Sequence, residues 1–202
     1  MDVQSLLTPS VVEKLRLYQA LVEKWNPRIN LVARSTLPDI WQRHFLDSLR
    51  LCCINLPEAR RWVDIGSGGG FPGLVVAVVL AEQSATTEMV LVESDARKSV
   101  FLREVARQLG LKVTVHSQRA EILPPQGADI VSARALATLD QLCALAHRHL
   151  ASAGLCLFPK GERAEEEISE ARRSWRFDLE AVTNSDHKGS ALLVLRNLER
   201  AV

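Results

Sequence analysis

The stretch V-D-I-G-S-G-G-G-F-P-G, residues 63–73, holds five of the ten glycines in this chain. An apolar segment precedes it and the apolar run 74–81 follows it, which predicts a buried strand, a tight turn and a helix. Glycine suits positions where the backbone takes a positive φ or where a ligand lies directly against it. A turn that opens a helix also presents unpaired N–H groups to a polar ligand. We therefore predict a ligand-binding loop rather than an empty turn.

Two spacings overlap in this loop and favour different ligands. Residues 68–73 satisfy G-x-G-x-x-G, the fingerprint of dinucleotide-binding proteins. Residues 64–70 read D-x-G-x-G-x-G, which resembles the first motif of the class I S-adenosylmethionine-dependent methyltransferases. Pro72 favours the second interpretation, because its fixed φ suits the first turn of a helix. The cofactor-binding residues predicted from this loop are Asp64, Gly66, Gly68 and Gly70.

Composition sets the broad class of the protein. The 202 residues are 47% hydrophobic and 24% charged, which predicts one globular domain with a small appendage. A net charge of +1 means that a polyanionic partner needs a local basic patch. The four cysteines show no C-x-x-C spacing, so we expect reduced thiols in a cytoplasmic protein. We expect no signal peptide, no membrane segment and no metal site, and we expect a monomer.

The N-terminal part of the chain precedes the glycine loop and reads as helical. Residues 8–26 and 38–54 carry apolar side chains at helical spacing, and Pro27 is expected to end the first helix. We assign residues 1–57 to a helical extension packed on a methyltransferase domain of residues 58–202.

The second predicted helix carries three polar side chains on one face. His44, Asp47 and Ser48 are neighbours on one face, since they stand three and four residues apart. Two roles stay open for His44 and Asp47. They form a polar contact that holds this helix to the main domain, or they contact the substrate directly.

From residue 62 onward, short apolar segments alternate with helical patterns. This alternation predicts an α/β fold with a parallel, doubly wound sheet, and two adjacent strands at the end predict an antiparallel edge. Ligands in such sheets bind at the carboxyl ends of the strands. The predicted strands after the first are 89–92, 112–116, 128–132, 154–158, 179–183 and 191–196, the last two joined by a polar loop, and the predicted helices are 95–109, 138–150 and 162–176.

Three of these strands end in candidate site residues. Glu93 ends the second strand, where a carboxylate can accept both ribose hydroxyls of a nucleoside cofactor. Ala120 and Glu121 follow the third strand and are expected to flank the adenine through backbone groups. Arg134 follows the fourth, where the substrate arrives. The structural alternatives are a surface carboxylate for Glu93, a helix-turn charge for Glu121 and an ion pair for Arg134.

Six motifs occur in order along the chain: N-L-V-A-R-S (30–35), R-H-F-L-D-S-L (43–49), D-I-G-S-G-G-G-F-P-G (64–73), E-S-D-A-R-K-S-V-F-L-R (93–103), S-A-R-A (132–135) and F-P-K-G (158–161). Together they resemble the RsmG family, also called GidB. This resemblance implies a class I, Rossmann-like fold and methylation of a guanine at N7 in the decoding-centre loop of 16S ribosomal RNA, at the position usually numbered 527. It also implies S-adenosylmethionine as cofactor, held at Gly66, Phe71, Ala120, Glu121 and Arg134.

The residue types after the fourth strand favour methylation of an atom that carries no proton to lose. Methylation of an exocyclic amine usually relies on an acidic or Asn residue with prolines and an aromatic at this place, which here holds Ser132, Ala133 and Arg134. Guanine N7 carries a free lone pair, so the enzyme needs mainly to position it. We name Arg134 as the catalytic residue, a cation that positions rather than a base. The predicted RNA contacts are Arg28, Arg34, Arg43, His44 and Lys160.

Three other functions stay open at this stage. Another S-adenosylmethionine-dependent RNA methyltransferase fits the same loop. An NAD-dependent oxidoreductase fits the same type of sheet, although its hydride-transfer residues are not found. A non-enzymatic RNA-binding module of ribosome assembly is the third. The sequence leaves open whether the partner is naked 16S RNA, a small-subunit particle or an assembly intermediate.

Overall fold

The computed structural model describes residues 2–56, 58–83, 85–183 and 190–201. The strands are β1 (Arg61–Ile65), β2 (Glu88–Val92), β3 (Val113–His116), β4 (Ala128–Ser132), β5 (Leu150–Lys160), β6 (Trp175–Thr183) and β7 (Ala191–Arg200). The α-helices are α1 (Val3–Leu6), α2 (Pro9–Ile29), α3 (Asp47–Leu49), α4 (Gly73–Glu82), α5 (Ala96–Gln108), α6 (Leu139–His149) and α7 (Ala164–Ala171).

The seven strands form one sheet in the order β3-β2-β1-β4-β5-β7-β6. Strands β1 to β5 are parallel, whereas β7 runs antiparallel to both β5 and β6. The predicted α/β fold, with a mostly parallel sheet and an antiparallel edge, is confirmed. The strand order reverses at β1, between β2 and β4, which is where ligands bind in sheets of this kind.

Both faces of the sheet are covered by hydrophobic clusters. One cluster joins α2, α4 and α5 to one face, and the other joins α6 and the C-terminal strands to the opposite face. Strands buried on both sides read as continuous apolar runs, which explains why β1 and β2 were recognisable from sequence.

The N-terminal extension belongs to the first of these clusters. Leu15, Tyr18 and Val22 of α2 are fully buried with Leu74 of α4 and Phe101 of α5. The extension therefore shares its core with the sheet. The domain boundary at residue 57 stays a prediction.

Helix α2 differs from its prediction at its end. It continues through Pro27 to Ile29, because a proline in the last turn removes one N–H without stopping the chain. The helix ends at Asn30, which takes a left-handed conformation with φ +50°. The side chain of the buried Asn26 accepts a hydrogen bond from the Val32 backbone at 2.9 Å and fixes this exit.

The predicted helix 38–54 is replaced by a composite segment. It is π-helical over Trp41–Leu46, α-helical over Asp47–Leu49 and 3₁₀-helical over Arg50–Cys53. Apolar periodicity predicted a helix but carries no information on this change of winding. Single π-helical turns often occur at functional sites.

The predicted helix 162–176 is shorter than expected, since α7 ends at Ala171 and β6 begins at Trp175. Trp175 and Phe177 are buried while Arg176 and Asp178 are exposed, an alternation of period two that favours a strand. The neighbouring predicted strands, 154–158, 179–183 and 191–196, are correspondingly longer in β5, β6 and β7. The predicted polar loop between β6 and β7 lies mostly outside the described residues.

Candidate active site

The glycine loop is fixed by hydrogen bonds to the end of β2. The amides of Gly66 and Ser67 donate to the carbonyl of Val92 at 2.8 and 3.1 Å. Gly66, Gly68 and Gly70 have φ values of +68°, +55° and +89°, which only glycine adopts readily. The sequence therefore places glycine where this turn needs left-handed backbone.

The free space differs from one glycine of the loop to the next, and this difference indicates where a ligand can lie. A methyl group on Gly70 would run into Tyr18 and Leu74, and one on Gly73 would run into Leu91. On Gly68 it would meet nothing nearer than the Gly66 carbonyl oxygen, 3.8 Å away. The face above Gly68 is thus open, and a ligand can lie directly against its backbone.

Glu93 lies at the edge of this open face and is 7% exposed. Its Oε2 accepts from the Gly68 amide and its Oε1 accepts from the Asp95 amide, both at 2.7 Å. The carboxylate therefore shapes the loop as well as facing the predicted ribose site. Each carboxylate oxygen retains capacity for a further hydrogen bond, so the predicted ribose contact is compatible with these two.

Asp64 lies beneath the loop rather than at its surface. It is fully buried, and its Oδ1 accepts from the Ser132 hydroxyl at 2.6 Å, which in turn accepts from the Trp62 indole at 2.9 Å. Its Oδ2 faces Gly73 and has no hydrogen-bond partner among the described residues. This carboxylate ties β1 to β4 under the loop, and its predicted contact with the cofactor stays a prediction.

The environment of Asp64 disfavours its charged form. Burial raises the pKa of Asp64 to about 6, and the hydrogen bond from Ser132 opposes that rise. A buried carboxylate is costly to ionise, so Asp64 keeps its proton to a higher pH than an exposed aspartate does.

The N-terminal extension reaches the glycine loop through Tyr18. Its hydroxyl donates to the Gly69 carbonyl, and its ring stacks on Phe71 with centroids 5.2 Å apart. Burial raises the pKa of Tyr18 well above its usual value, so the hydroxyl stays protonated and remains a donor. Phe45 and His44 pack on the same Phe71 ring at 5.1 Å. Phe71 is 4% exposed and belongs to this aromatic cluster.

Arg134 is held against the same cluster from the other side. Its Nη1 donates to the Arg43 carbonyl at 2.9 Å, its Nη2 donates to His44 Nδ1 at 2.5 Å, and its guanidinium carbon lies 5.3 Å from the Phe71 ring centre. A guanidinium has five N–H donors. The other three have no hydrogen-bond partner within the described parts of the chain. The half-buried cation is thus clamped on one edge and available on the other.

The loop that carries Arg134 also reaches the glycines. Ala135 has φ +52°, an uncommon conformation for a residue with a side chain. This turn brings Leu136 over Gly66, where an added methyl would come within 2.6 Å of its Cδ1. The loops after β1 and β4 therefore form one continuous wall.

The third predicted contact region follows β3. Ala120 is 7% exposed, and its carbonyl accepts from Nε2 of the buried His149 at 2.9 Å. Glu121 is exposed and pairs with Arg119 at 2.7 Å. Both residues lie in the connection at the β3 end of the same sheet edge, with the Ala120 backbone anchored from α6.

The predicted RNA-contact residues divide into two groups. Arg28, Arg34 and Arg43 are exposed. Lys160 is only 9% exposed at its side chain, donates to the Ala137 carbonyl at 2.8 Å and pairs with Glu167 at 2.7 Å. This ammonium braces the loop after Arg134, and its predicted RNA contact stays a prediction.

His44 is also held by neighbouring side chains. Its Nε2 hydrogen-bonds Thr36 Oγ1 at 2.8 Å, and its Nδ1 accepts from Arg134. Burial, with Arg134 and Arg43 nearby, lowers the pKa of His44 to about 3. The ring is therefore neutral at physiological pH with both nitrogens hydrogen-bonded, and its predicted RNA contact stays a prediction.

A cleft of about 1070 Å³ opens on the Arg134 side of the site. It lies between the composite segment 41–53, the loop 134–138, and strands β6 and β7. Arg50, Arg134 and Lys160 bring cations to its wall, and Asp47, Glu167 and Glu180 bring carboxylates. The cleft wall therefore carries charges of both signs beside Arg134.

Several supporting residues were not found by sequence reasoning. They are Tyr18, Thr36, Ser132, Leu136 and His149. Tyr18 is the chain's single tyrosine, yet its helical spacing predicted only a core position. Ser132 lies in the S-A-R-A motif, but its contacts, like those of Thr36 and His149, join residues 8 to 70 positions apart.

The reversal of strand order at β1, the left-handed glycine loop and the acidic residue ending β2 define a class I, Rossmann-like methyltransferase. The family described as GidB, rRNA small subunit methyltransferase G, matches residues 11–194 of this sequence. The chain belongs to this family.

Curated relatives carry the same family name, "Ribosomal RNA small subunit methyltransferase G". The Rhodospirillum centenum protein is 51% identical, over 93% of this chain and 84% of that protein. The Paramagnetospirillum magneticum protein is 48% identical, over 99% and 98% of the two chains. The Ruegeria sp. protein is 46% identical, over 94% and 92%.

Solved structures share the fold at low identity. TYW2 from M. jannaschii in complex with AdoMet has a TM-score of 0.58 and 15% identity, over 80% of this chain and 78% of that chain. The PH0226 protein from Pyrococcus horikoshii has a TM-score of 0.58 and 14% identity, over 87% and 97%.

These comparisons confirm the predicted family, the predicted methyltransferase activity and S-adenosylmethionine as the predicted cofactor. They remove the oxidoreductase alternative. Among the helices of the described residues, none combines the length and apolar composition that a membrane crossing requires. The same residues contain no cluster of three or more His, Cys, Asp or Glu side chains suited to a metal ion.

Proposed function

We propose that this protein transfers the methyl group of S-adenosylmethionine to N7 of one guanine in the decoding-centre loop of 16S ribosomal RNA, at the position usually numbered 527. The observation that supports it most is Arg134: a half-buried cation at the end of β4, clamped on one edge and open on the other. Family membership supports the small-subunit RNA as substrate.

The cofactor site is proposed along the glycine loop. Its fit rests on the open face above Gly68 and on the buried Glu93 carboxylate at the border of that face. The backbone at Gly66, Gly68 and Gly70 approaches the methionine part, Glu93 accepts the ribose hydroxyls, and the backbone of Ala120 and Glu121 borders the adenine. Phe71 supports the loop from below, and Arg134 offers N–H groups to the cofactor carboxylate or to a phosphate.

The cofactor supplies an electrophilic methyl group on a sulfonium sulfur. Held along the glycine loop, it would supply this methyl group to the N7 lone pair of a guanine positioned beside Arg134. No proton moves, and the product is a cationic 7-methylguanine. The site residues fit this reaction: Arg134 cannot accept a proton, and His44, with a pKa of about 3, is a poor base. Their task is to position the ring nitrogen, which can supply several kcal/mol of the barrier.

We place the target nucleotide in the cleft beside Arg134, with the flanking RNA backbone on the exposed Arg28, Arg34 and Arg43. These cations provide the local patch that a chain of net charge +1 needs for a polyanion. We propose that the enzyme acts as a monomer in the cytoplasm, where the small ribosomal subunit is assembled.

A matched pair of glycine variants tests the cofactor site. Gly68→Ala and Gly110→Ala both add a methyl group at a positive φ, +55° and +65°, with no close neighbour. Both are expected to remain folded and to lose similar stability. Only Gly68→Ala should weaken binding in a calorimetric titration with S-adenosylmethionine, since Gly110 lies at the end of α5. Equal affinities of the two variants would refute this placement.

The target atom is tested by chemistry on the product. Borohydride reduction followed by aniline cleaves RNA at 7-methylguanine, so small-subunit RNA treated with active enzyme should break at one position in the decoding-centre loop. Methyl transfer that leaves the RNA resistant would favour an exocyclic amine or a ribose as target. Cofactor binding without any transfer to RNA or 30S particles would favour a non-enzymatic assembly module.

A further inference from the structure

The contacts of Arg134 continue into a directional chain of hydrogen bonds. The Thr36 hydroxyl donates to the Ala33 carbonyl at 2.7 Å, so its oxygen is left to accept from His44 Nε2 at 2.8 Å. An arginine has only donors, so His44 Nδ1 must accept from Arg134. Each hydrogen bond from Arg134 through His44 and Thr36 to Ala33 therefore has an assigned donor, and His44 is the neutral tautomer with hydrogen on Nε2.

The chain joins three separate parts of the molecule. Ala33 and Thr36 belong to the connector after α2, His44 lies in the π-helical turn, and Arg134 follows β4. The motifs 30–35 and 43–49, which carried the family resemblance, supply Ala33 and His44 to this hydrogen-bonded network. Their convergence on one guanidinium is a reason for those residue types to occur there.

The backbone of the π-helical turn contributes the second contact. The Arg43 carbonyl accepts from Arg134 Nη1 at 2.9 Å, so two adjacent residues hold the two terminal nitrogens of one guanidinium. The ring of His44 also packs 5.1 Å from Phe71, the aromatic over which the guanidinium lies. These contacts fix the rotation of the guanidinium and its distance from the Phe71 ring.

We propose that His44 is a positioning residue for methyl transfer. Its Nδ1 carries no proton and accepts a hydrogen bond from Arg134. Thr36 keeps the ring proton on the other nitrogen, because the Thr36 hydroxyl oxygen accepts from Nε2–H. This proposal rests on the role given to Arg134 under the proposed function. A protonated His44 would have no lone pair for Arg134 and would put two cations in contact. The low pKa of His44, caused first by burial and then by Arg134 and Arg43, keeps the ring in the competent state.

A double-mutant cycle on single-turnover methyl transfer tests the proposal. Arg134→Ala and His44→Leu are each expected to slow transfer, by about 100-fold and about 10- to 100-fold respectively, because small misplacements at a reacting centre are costly. If His44 acts only through Arg134, the double variant is as slow as Arg134→Ala alone, since residues in one network are not additive.

Two further variants separate positioning from mere packing. His44→Asn keeps an acceptor oxygen where Nδ1 stands, so it should recover most of the rate lost in His44→Leu. His147→Leu removes an exposed histidine of α6 and should transfer methyl at the native rate. Circular dichroism and the cofactor dissociation constant establish that each variant is folded.

The outcomes are distinguishable. Multiplicative losses in the double variant, or an Asn variant as slow as the Leu variant, overturn the positioning role. Multiplicative losses accompanied by weaker RNA binding and a smaller salt dependence would make His44 a direct RNA contact instead. An Arg134→Ala enzyme with the native rate would overturn this proposal and the role of Arg134 together, while the cleavage assay on native enzyme still decides whether the chain methylates N7.

Discussion

The two halves of the site are built in different ways. The glycine-loop half is made of backbone from consecutive residues, fixed by β2 and by a buried carboxylate directly beneath it. The Arg134 half is made of one side chain, held by residues about 90 positions earlier in the chain. A local sequence motif can encode the first half. The second exists only once the N-terminal extension has packed on the sheet.

This difference explains what the sequence could predict. The parallel sheet and the glycine loop follow from apolar runs and from glycines at positive φ, which are local properties. Asp64 was correctly placed on β1, but spacing does not reveal which way a strand side chain faces. His44 and Lys160 were assigned to RNA from their charge type alone. Their partners within the protein, Arg134 and Glu167, depend on tertiary packing that periodicity does not contain.

The largest expected effect tests how tightly Tyr18 of α2 packs against the glycine-loop half. Gly70→Ala combines a left-handed φ of +89° with a methyl group driven into Tyr18 and Leu74. Overpacking and backbone strain together should lower the free energy of unfolding by about 3 kcal/mol. Urea denaturation measures the loss, and Gly110→Ala, with strain but no clash, should lose much less. Equal losses would mean that the packing of α2 on the loop is loose.

An effect of similar size is expected from the buried carboxylate under the glycine-loop half. Asp64 binds its proton more tightly in the folded state, with a pKa of about 6, than in the unfolded chain. Its contribution to stability therefore falls as the pH rises from about 4 to about 6. The stability of the native protein relative to Asp64→Asn should drop by about 3 kcal/mol across this window.

Denaturation of both proteins at pH 4 and pH 7 checks this slope. Carboxylates with lowered pKa values, such as Asp95 and Glu104, titrate in both proteins and cancel in the difference. A difference that does not change with pH would show that Asp64 is not desolvated as its burial indicates.

The smallest expected effect concerns the RNA-facing surface of the Arg134 half. Arg34→Gln removes an exposed cation from the proposed RNA patch, whereas Arg173→Gln removes one that pairs with Glu170 at 3.0 Å after α7. The logarithmic salt slope of RNA binding should fall by about 1 in Arg34→Gln and stay unchanged in Arg173→Gln. Filter binding over a range of salt concentrations measures both slopes. Equal slopes for the two variants would show that Arg34 is not part of the RNA-binding patch.

The most direct test of the account maps methylated nucleotides in small-subunit RNA from cells that lack this protein, complemented with the native chain or with Arg134→Ala. Mass spectrometry of the RNA fragments identifies the nucleotide and the modified atom. The account predicts one 7-methylguanosine in the decoding-centre loop, restored by the native chain and by Arg173→Gln but not by Arg134→Ala. Restoration of a methyl group on an exocyclic amine or a ribose, or full restoration by Arg134→Ala, would contradict it.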